Sequence, residues 1–188
     1  MQFYLVAPAT IAAFDLIACA RAACAVGDCA SIIVPDSLKT EDVALLQELG
    51  LAVFLQDVEP RIVSRLRADG LHINSMEHAI VDLRMSLLRG AMVGVGCGVS
   101  RHAAMEASEQ GADYIAFTQK KQTGGEPLVK WWSDIAEVPC VPFDAVNMEE
   151  LAILLPQKPD FIRPMDDMWQ NADAATTIIK AMAAKLVP

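Results

Sequence analysis

Charged side chains follow several of the short apolar runs in this chain. Asp57 and Glu77 each come shortly after such a run, and Lys120 and Lys121 follow a third one. Carboxylates that converge at one place can hold a hard cation such as Mg²⁺, and adjacent ammonium groups could then meet a phosphate. Structural roles are the alternatives, because Asp57 can cap a following helix and Glu77 can be a solvated loop charge. The residues predict a magnesium and phosphate site if the fold brings these run ends together.

Alternating glycines mark a second candidate position. Gly94, Gly96 and Gly98 interrupt the apolar stretch MVGVGCGVS. Glycine within a strand often marks a point where something approaches the backbone closely, and here that is either a ligand or a tightly packed neighbour. Gly94 and Gly96 are therefore candidate ligand-binding residues, together with Gln56 and Thr118, which lie at the ends of two other apolar runs.

The elements that must position these groups form a repeating unit of strand and helix. Predicted strands begin near residues 3, 30, 51, 70, 91, 114, 138 and 161, at intervals that fit one strand, one helix and two short loops. The last two are predicted at 138–143 and 161–164 despite their prolines. An Asp precedes the apolar run in the even-numbered units ADGLHI, ADYIAF and PDFIRP.

Eight such units predict an α/β fold, a closed (β/α)8 TIM barrel with short loops that residues 1–188 form as a single domain. The competing fold is an open doubly wound sheet, which uses the same alternation with fewer strands. In both architectures ligands bind beyond the carboxyl ends of the strands. The candidate residues would therefore meet at one mouth.

Composition excludes several classes of function. The formal net charge is -9, from 24 acidic and 15 basic residues, which would repel a nucleic-acid backbone. The first residues, MQFYLVAPAT, lack a basic leader, and Asp15 and Arg21 interrupt the apolar pattern that follows. We therefore expect a cytoplasmic protein that binds neither nucleic acid nor a membrane. Trp131 and Trp132 on a predicted helix would suit either a homodimer contact or packing against the barrel.

The cysteines are expected to remain thiols. There are five of them, an odd number, and none forms a Cys-x-x-Cys pair, which argues against a disulfide framework and a structural zinc site. Cys97 lies among the glycines described above, where it is either a small buried residue or a reactive thiol.

Three segments carry a resemblance to a known family. The runs LQDVEPRIVSRLRADGLHI, MVGVG and EASEQGADYIAF resemble the thiamine phosphate synthase and TenI family over about residues 51–118. The resemblance implies a (β/α)8 barrel that joins a pyrimidine diphosphate to a thiazole phosphate with loss of pyrophosphate. It also implies that Asp57 binds Mg²⁺, that Glu77 lies near a second magnesium ligand and that Gln56 replaces an Asn that touches pyrophosphate. Lys120 or Lys121 would then meet the leaving group.

The chain departs from that family at positions that hold phosphate. The second strand region, 32–36, has no cation until Lys39, and the glycine cradle after the seventh strand is replaced by residues 142–145, Pro-Phe-Asp-Ala. The eighth strand runs into residues 163–166, Arg-Pro-Met-Asp. A proline lacks an N–H and a carboxylate repels phosphate, so we expect anions near Lys120, Lys121 and the Gly124–Gly125 turn instead. The alternative function is a diverged, non-synthase paralogue that binds another small ligand or serves as an accessory subunit.

Overall fold

Eight strands alternate with eight helices in the computed structural model, which describes residues 1–75 and 79–186. Glu77 lies outside the described residues. The strands are β1 Gln2–Val6, β2 Cys29–Val34, β3 Ala52–Gln56, β4 Gly70–Ile73, β5 Met92–Gly98, β6 Tyr114–Phe117, β7 Cys140–Pro142 and β8 Phe161–Ile162. The helices are α1 Ala13–Cys24, α2 Thr40–Gln47, α3 Pro60–Leu66, α4 Ile80–Ser86, α5 Arg101–Glu109, α6 Leu128–Ile135, α7 Met148–Leu154 and α8 Ala172–Leu186.

The strands form one parallel sheet that curls into a closed barrel. Hydrogen-bonded neighbours follow the order β7-β6-β5-β4-β3-β2-β1-β8. The two end strands meet through the Asp160 amide, which donates to the Cys140 carbonyl at 3.2 Å, and through the Val146 amide, which donates to the Arg163 carbonyl at 3.1 Å. The predicted (β/α)8 barrel is therefore confirmed, and the open sheet is wrong.

The seventh and eighth strands are shorter than the sequence pattern predicts. They cover Cys140–Pro142 and Phe161–Ile162 rather than 138–143 and 161–164. The difference follows from proline chemistry, since Pro139, Pro142 and Pro164 have no N–H to donate to a ladder. The last part of the barrel wall is consequently held by isolated contacts rather than by long ladders.

The repeated Asp before the even strands has a structural role. Carboxylate oxygens of Asp69, Asp113 and Asp160 accept hydrogen bonds from backbone amides at the start of the preceding odd strand. The three N···O distances, to Val53, Val93 and Cys140, are 2.8, 2.6 and 2.8 Å. Each aspartate thereby satisfies a backbone donor at the amino-terminal end of the barrel strands.

Two apolar layers build the core. Helices pack against the outside of the barrel, and a smaller cluster of Tyr4, Ile33, Phe54, Tyr114, Ala116 and Val141 fills its interior. Trp132 is 1% exposed, lies edge-on to Phe117 and donates from its indole to the Val138 carbonyl at 2.7 Å. Packing against the barrel accounts for this tryptophan, and a homodimer stays a prediction. No helix in the described part of the chain is long and apolar enough to cross a membrane.

Candidate functional site

The carboxyl ends of β3 and β4 present a carboxylate in a constrained conformation. Asp57, directly after β3, has a φ of 50°, which is uncommon for a residue with a side chain. Its amide donates to the His72 carbonyl at 2.9 Å, and its Oδ1 accepts from the Asn74 amide at 2.8 Å. The Asn74 side chain donates to the other oxygen. The following helix α3 has Glu59 as its N-cap, so the alternative that Asp57 caps that helix is wrong.

Asp57 and Asn74 line a cavity of about 450 Å³ at the carboxyl ends of β3 and β4, whose walls include the outer-layer residues Leu71, Ile73 and Leu83. Asp57 remains exposed there, so its oxygens can still meet a ligand from solvent. No cluster of three or more His, Cys, Asp or Glu side chains that could hold a metal occurs within residues 1–75 and 79–186. Mg²⁺ commonly binds through one or two carboxylates plus substrate phosphates and waters, and a single exposed Asp beside an amide oxygen fits that pattern.

A buried chain of polar groups runs beneath this carboxylate. His72 is 0% exposed, and its Nδ1 lies 2.8 Å from the Tyr114 hydroxyl, which in turn contacts the Tyr4 hydroxyl. Burial lowers the pKa of His72 to about 4, although the Asp57 charge and the Asn74 side chain oppose the shift. The imidazole is therefore neutral at physiological pH. Burial likewise raises the pKa of both tyrosine hydroxyls, so they stay protonated.

The direction in which the Tyr4 and Tyr114 hydroxyls donate determines which nitrogen of the His72 ring carries the proton. If Tyr4 donates to Tyr114 and Tyr114 donates to Nδ1, both hydroxyl protons have an acceptor, and the imidazole proton is then on Nε2. His72 Nε2 has no hydrogen-bonding partner within the described residues, although the Asn74 side chain lies close enough to raise the pKa. A buried donor without an acceptor is costly, so Nε2 is a candidate ligand contact.

An aromatic side chain fills the other half of the mouth. The Phe143 ring stacks on His72 with centroids 4.7 Å apart and planes 12° from parallel, and the Arg163 guanidinium lies 5.4 Å from the Phe143 centroid. Arg163 also donates to the Phe143 carbonyl at 2.8 Å and to Asp166 at 3.0 Å. The ends of β7 and β8 are therefore held together by internal contacts where a phosphate cradle would need free backbone donors.

The two predicted catalytic lysines have different surroundings. The Lys120 ammonium lies 2.7 Å from a Glu150 oxygen and donates to the Ala145 carbonyl at 3.0 Å, while its backbone amide donates to Asp144. The hydrogen bond from Lys120 lowers the pKa of Glu150. Lys120 thus links the loop after β6 to the loop after β7.

Lys121 faces a separate space. It lines a cavity of about 540 Å³ together with Arg101, Thr123, Gly124 and Gly125. No ion pair to Lys121 is present among the side chains that the structure describes. The two glycines have φ values of 76° and 79°, a left-handed conformation that non-glycine residues rarely adopt. This cavity is where the sequence predicts an anion.

The predicted ligand-binding glycines make room for other parts of the chain. A Cβ on Gly94 would lie 1.9 Å from the Tyr114 ring, and one on Gly96 would lie 3.1 Å from the Asn74 Cα. Gln56 pairs in register with His72 at the edge of the mouth, and the Thr118 amide donates to the Gly98 carbonyl at 2.9 Å. The glycines therefore leave space for Tyr114 and Asn74 to pack at the site. Their direct contact with a ligand stays a prediction.

Sequence reasoning found part of this arrangement. The structure brings Gln56 beside His72 and Asp57 against Asn74, whereas Lys120 and Lys121 lie on the loop after β6. The hydroxyl chain from Tyr4 through Tyr114 was missed, because its two tyrosines are 110 positions apart and no local motif joins them.

Cys97 has the properties of a buried structural thiol. It is 7% exposed, and burial raises its pKa to about 12. A thiol that stays protonated is a poor nucleophile at neutral pH. The structure therefore favours the packing role.

Comparison with known proteins places this barrel in a family. The family model described as thiamine monophosphate synthase matches residues 3–155. Thiamine-phosphate synthases of Erythrobacter litoralis and Rhodospirillum centenum are each 33% identical over 135 residues, which cover 66% and 68% of this chain and 62% and 65% of theirs. The chain thus spans somewhat less than two thirds of these relatives.

Solved structures agree on the fold. A thiamine phosphate pyrophosphorylase from Pyrococcus furiosus superposes with a TM-score of 0.76 at 16% identity, covering 100% of this chain and 97% of that one. A structure described as native KDPGal superposes with a TM-score of 0.78 at 15% identity, covering 99% and 94%. At such identities these likenesses concern the barrel alone. On the match of residues 3–155, the chain belongs to the thiamine monophosphate synthase family.

Proposed function

We propose that this protein joins a pyrimidine diphosphate to a thiazole phosphate at the mouth of its barrel and releases pyrophosphate. The observation that carries the proposal is Asp57, which is held at a φ of 50° with both carboxylate oxygens oriented by Asn74, above the buried His72. A residue kept in a sparsely populated conformation by its neighbours is typical of functional sites. The family of the chain supplies the reaction type.

In this reaction the thiazole nitrogen attacks the methylene carbon of the pyrimidine, and the bond from that carbon to the diphosphate oxygen breaks. The bonding electrons leave with the diphosphate, so negative charge develops on the leaving group. A magnesium ion, when bound, neutralises part of that charge. Asp57 would hold it, with Asn74 keeping the carboxylate in place. Glu77 as a second ligand stays a prediction.

The buried chain is suited to orient a neutral heterocycle. Tyr4, Tyr114 and His72 are uncharged at neutral pH, and with Tyr4 donating to Tyr114 and Tyr114 to His72, the imidazole N–H has no acceptor among the described residues. A ring nitrogen of a ligand that reached this donor would accept its hydrogen bond. We propose that His72 binds and orients the heterocycle and transfers no proton, because its pKa of about 4 makes it a weak base.

The loop after β6 carries the two candidate cations for a phosphate group. Lys120 is already paired with Glu150, whereas Lys121 lines the cavity with the Gly124–Gly125 turn. We therefore assign the phosphate contact to Lys121. Lys120 would instead hold the loop after β6 against the loop after β7. Thr118 and Gln56 would complete the ligand contacts at the rim. The expectations of a single domain over residues 1–188, a cytoplasmic location and a homodimer stay predictions.

Calorimetry can test the metal and diphosphate part of this assignment. Inorganic pyrophosphate with Mg²⁺ should bind the wild type and bind at least about tenfold more weakly to Asp57→Asn. Asp173→Asn, on the first turn of α8, is the matched control and should bind like the wild type. Equal heats from Asp57→Asn and the wild type would contradict the assignment of Asp57.

The reaction itself is tested by conversion of the two substrates. Wild-type protein with Mg²⁺ should yield thiamine phosphate and an equal amount of pyrophosphate. Binding of the pyrimidine substrate without any product would refute the transferase function and favour the alternative, a paralogue that binds a ligand without joining it to another.

A further inference from the structure

Two cysteines meet across a tight turn on the outer layer of the barrel. Cys24 is the last residue of α1 and Cys29 the first residue of β2. The chain between them folds back through hydrogen bonds from the Val26 and Gly27 amides to the Ala23 carbonyl, at 3.1 and 2.9 Å. The two side chains lie close enough for the Cys29 thiol to lower the pKa of Cys24. The spacing is Cys-x-x-x-x-Cys, which a search for Cys-x-x-Cys pairs passes over.

The turn between Cys24 and Cys29 is held by the β1–β2 ladder and by packing against α8. Cys29 pairs with Phe3 in the ladder between β1 and β2. A Cβ at Gly27 would lie 2.4 Å from Ile179 on α8, so the turn packs closely against that helix. Both sulfur atoms are thus carried by backbone that tertiary contacts already hold in place, and their approach does not depend on a free loop.

These two thiols differ from the other three in exposure. Cys24 and Cys29 are partly exposed, whereas Cys19, Cys97 and Cys140 are buried. The neighbouring Cys29 thiol lowers the pKa of Cys24, whereas the Cys24 sulfur, burial and the nearby Asp28 charge raise the pKa of Cys29. Burial raises the pKa of Cys97 and Cys140 to about 12. Cys24 is therefore the thiol best suited to form a thiolate.

We propose that Cys24 and Cys29 are a reversible redox pair that hydroperoxides oxidise to an intramolecular disulfide. In the first step the Cys24 thiolate attacks one peroxide oxygen and the O–O bond breaks, giving a sulfenic acid; the other oxygen takes a proton from solvent and leaves as water from hydrogen peroxide or as an alcohol from an organic hydroperoxide. In the second step the Cys29 sulfur attacks the Cys24 sulfur, the S–O bond breaks and the Cys29 proton departs with the hydroxyl as water. The two sulfurs are oxidised and the peroxide is reduced. A small dithiol reverses the change by thiol–disulfide exchange.

The pair and the proposed active site lie at opposite ends of the barrel strands. Cys29 begins β2 at the amino end of the barrel, whereas Asp57 follows the carboxyl end of β3. Oxidation should therefore lock the connection between α1 and β2 without altering the mouth. The inference is independent of the proposed function.

The chain offers a clear readout for this pair. Cleavage after Arg21 and Lys39 releases residues 22–39, which contain Cys24 and Cys29 and no other cysteine. Native protein is treated with equimolar hydrogen peroxide, unfolded in iodoacetamide and digested with trypsin. We expect this peptide to lose two hydrogens and to escape alkylation, while the peptides carrying the other three cysteines are alkylated. Dithiothreitol before alkylation should restore two alkylated cysteines.

Single variants distinguish the roles of the two sulfurs. Cys29→Ser should leave a Cys24 sulfenic acid that dimedone traps, whereas Cys24→Ser should leave Cys29 largely unoxidised. Cys19→Ala, elsewhere on α1, is the matched control and should form the disulfide like the wild type. Two alkylated cysteines in residues 22–39 after peroxide treatment, or cross-links to Cys19 instead, would overturn the proposal.

Discussion

Hydrogen bonds between buried side chains contribute to the stability of this barrel. The Tyr4, Tyr114 and His72 side chains form one chain of hydrogen bonds inside the barrel, next to the apolar side chains that fill its interior. Tyr114 is the central member of this chain, because its hydroxyl contacts both Tyr4 and His72. Its loss should therefore be felt more strongly than the loss of a terminal member.

The first residue-scale prediction compares two conservative tyrosine changes. Tyr114→Phe leaves both the Tyr4 hydroxyl and His72 Nδ1 without a partner, so it should lower the free energy of unfolding by about 1–3 kcal/mol. Tyr4→Phe is the matched control, since Tyr114 can still donate to His72, and it should cost less. Urea unfolding of both variants measures the difference. Equal costs would contradict the central position of Tyr114 in the chain.

His72 also predicts a pH dependence of stability. Its folded pKa of about 4 lies below the ordinary value of 6.5, so between these pH values the unfolded chain binds more protons than the folded one. Stability from this group is fully present above pH 6.5 and is lost as pH falls towards 4. The full shift corresponds to about 3 kcal/mol.

This dependence is isolated by comparing the wild type with His72→Gln in urea at pH 4.5 and pH 7. The wild type should lose more stability between the two values than the variant does. Identical losses would show that His72 titrates alike in the folded and unfolded chains.

At the scale of elements, aspartates at the starts of even strands secure the odd strands before them. Asp69→Ala would leave the Val53 amide unsatisfied at the start of β3, and it should lower the free energy of unfolding by about 1–3 kcal/mol. Asp36→Ala, in the exposed loop after β2, is the control and should change stability by less than about 0.5 kcal/mol. Thermal or urea unfolding of the two variants provides the comparison, and equal stabilities would contradict this role.

Periodicity predicted the elements well because each unit needs a strand, a helix and two short connections in nearly constant length. The Asp before the apolar runs was visible as a repeat, although its hydrogen bond to the preceding strand was not. The ends of β7 and β8 were less predictable, since prolines interrupt their ladders and isolated contacts complete the wall.

At the scale of the whole molecule, closure of the barrel creates contacts that no local pattern contains. Asp57 could be predicted as a site residue from its place after an apolar run. Its hydrogen bonds from Asn74 form only because β3 and β4 lie side by side. The Phe143 ring between His72 and Arg163 joins β4, β7 and β8, three elements that are distant in the chain. The sequence therefore predicts which residues are candidates for the site, but it does not predict the distant residues that they contact.

The distribution of charge around the mouth predicts where anions bind. Sulfate soaked into crystals should order near Lys121 and the Gly124–Gly125 turn, because Arg163 is engaged by the Phe143 carbonyl and by Asp166. An acid about 4 Å from an anion costs on the order of 4 kcal/mol at an effective dielectric near 20. Ordered sulfate against the backbone of residues 143–146 or 165–167 would contradict this prediction.

The steady-state rate of thiamine phosphate formation, measured with Mg²⁺ for three proteins, tests the central claim most directly. The wild type should turn over, Asp57→Asn should be at least about tenfold slower, and Asp173→Asn should match the wild type. A wild type that forms no product, or an Asp57→Asn variant that is as fast as the wild type, would contradict the account.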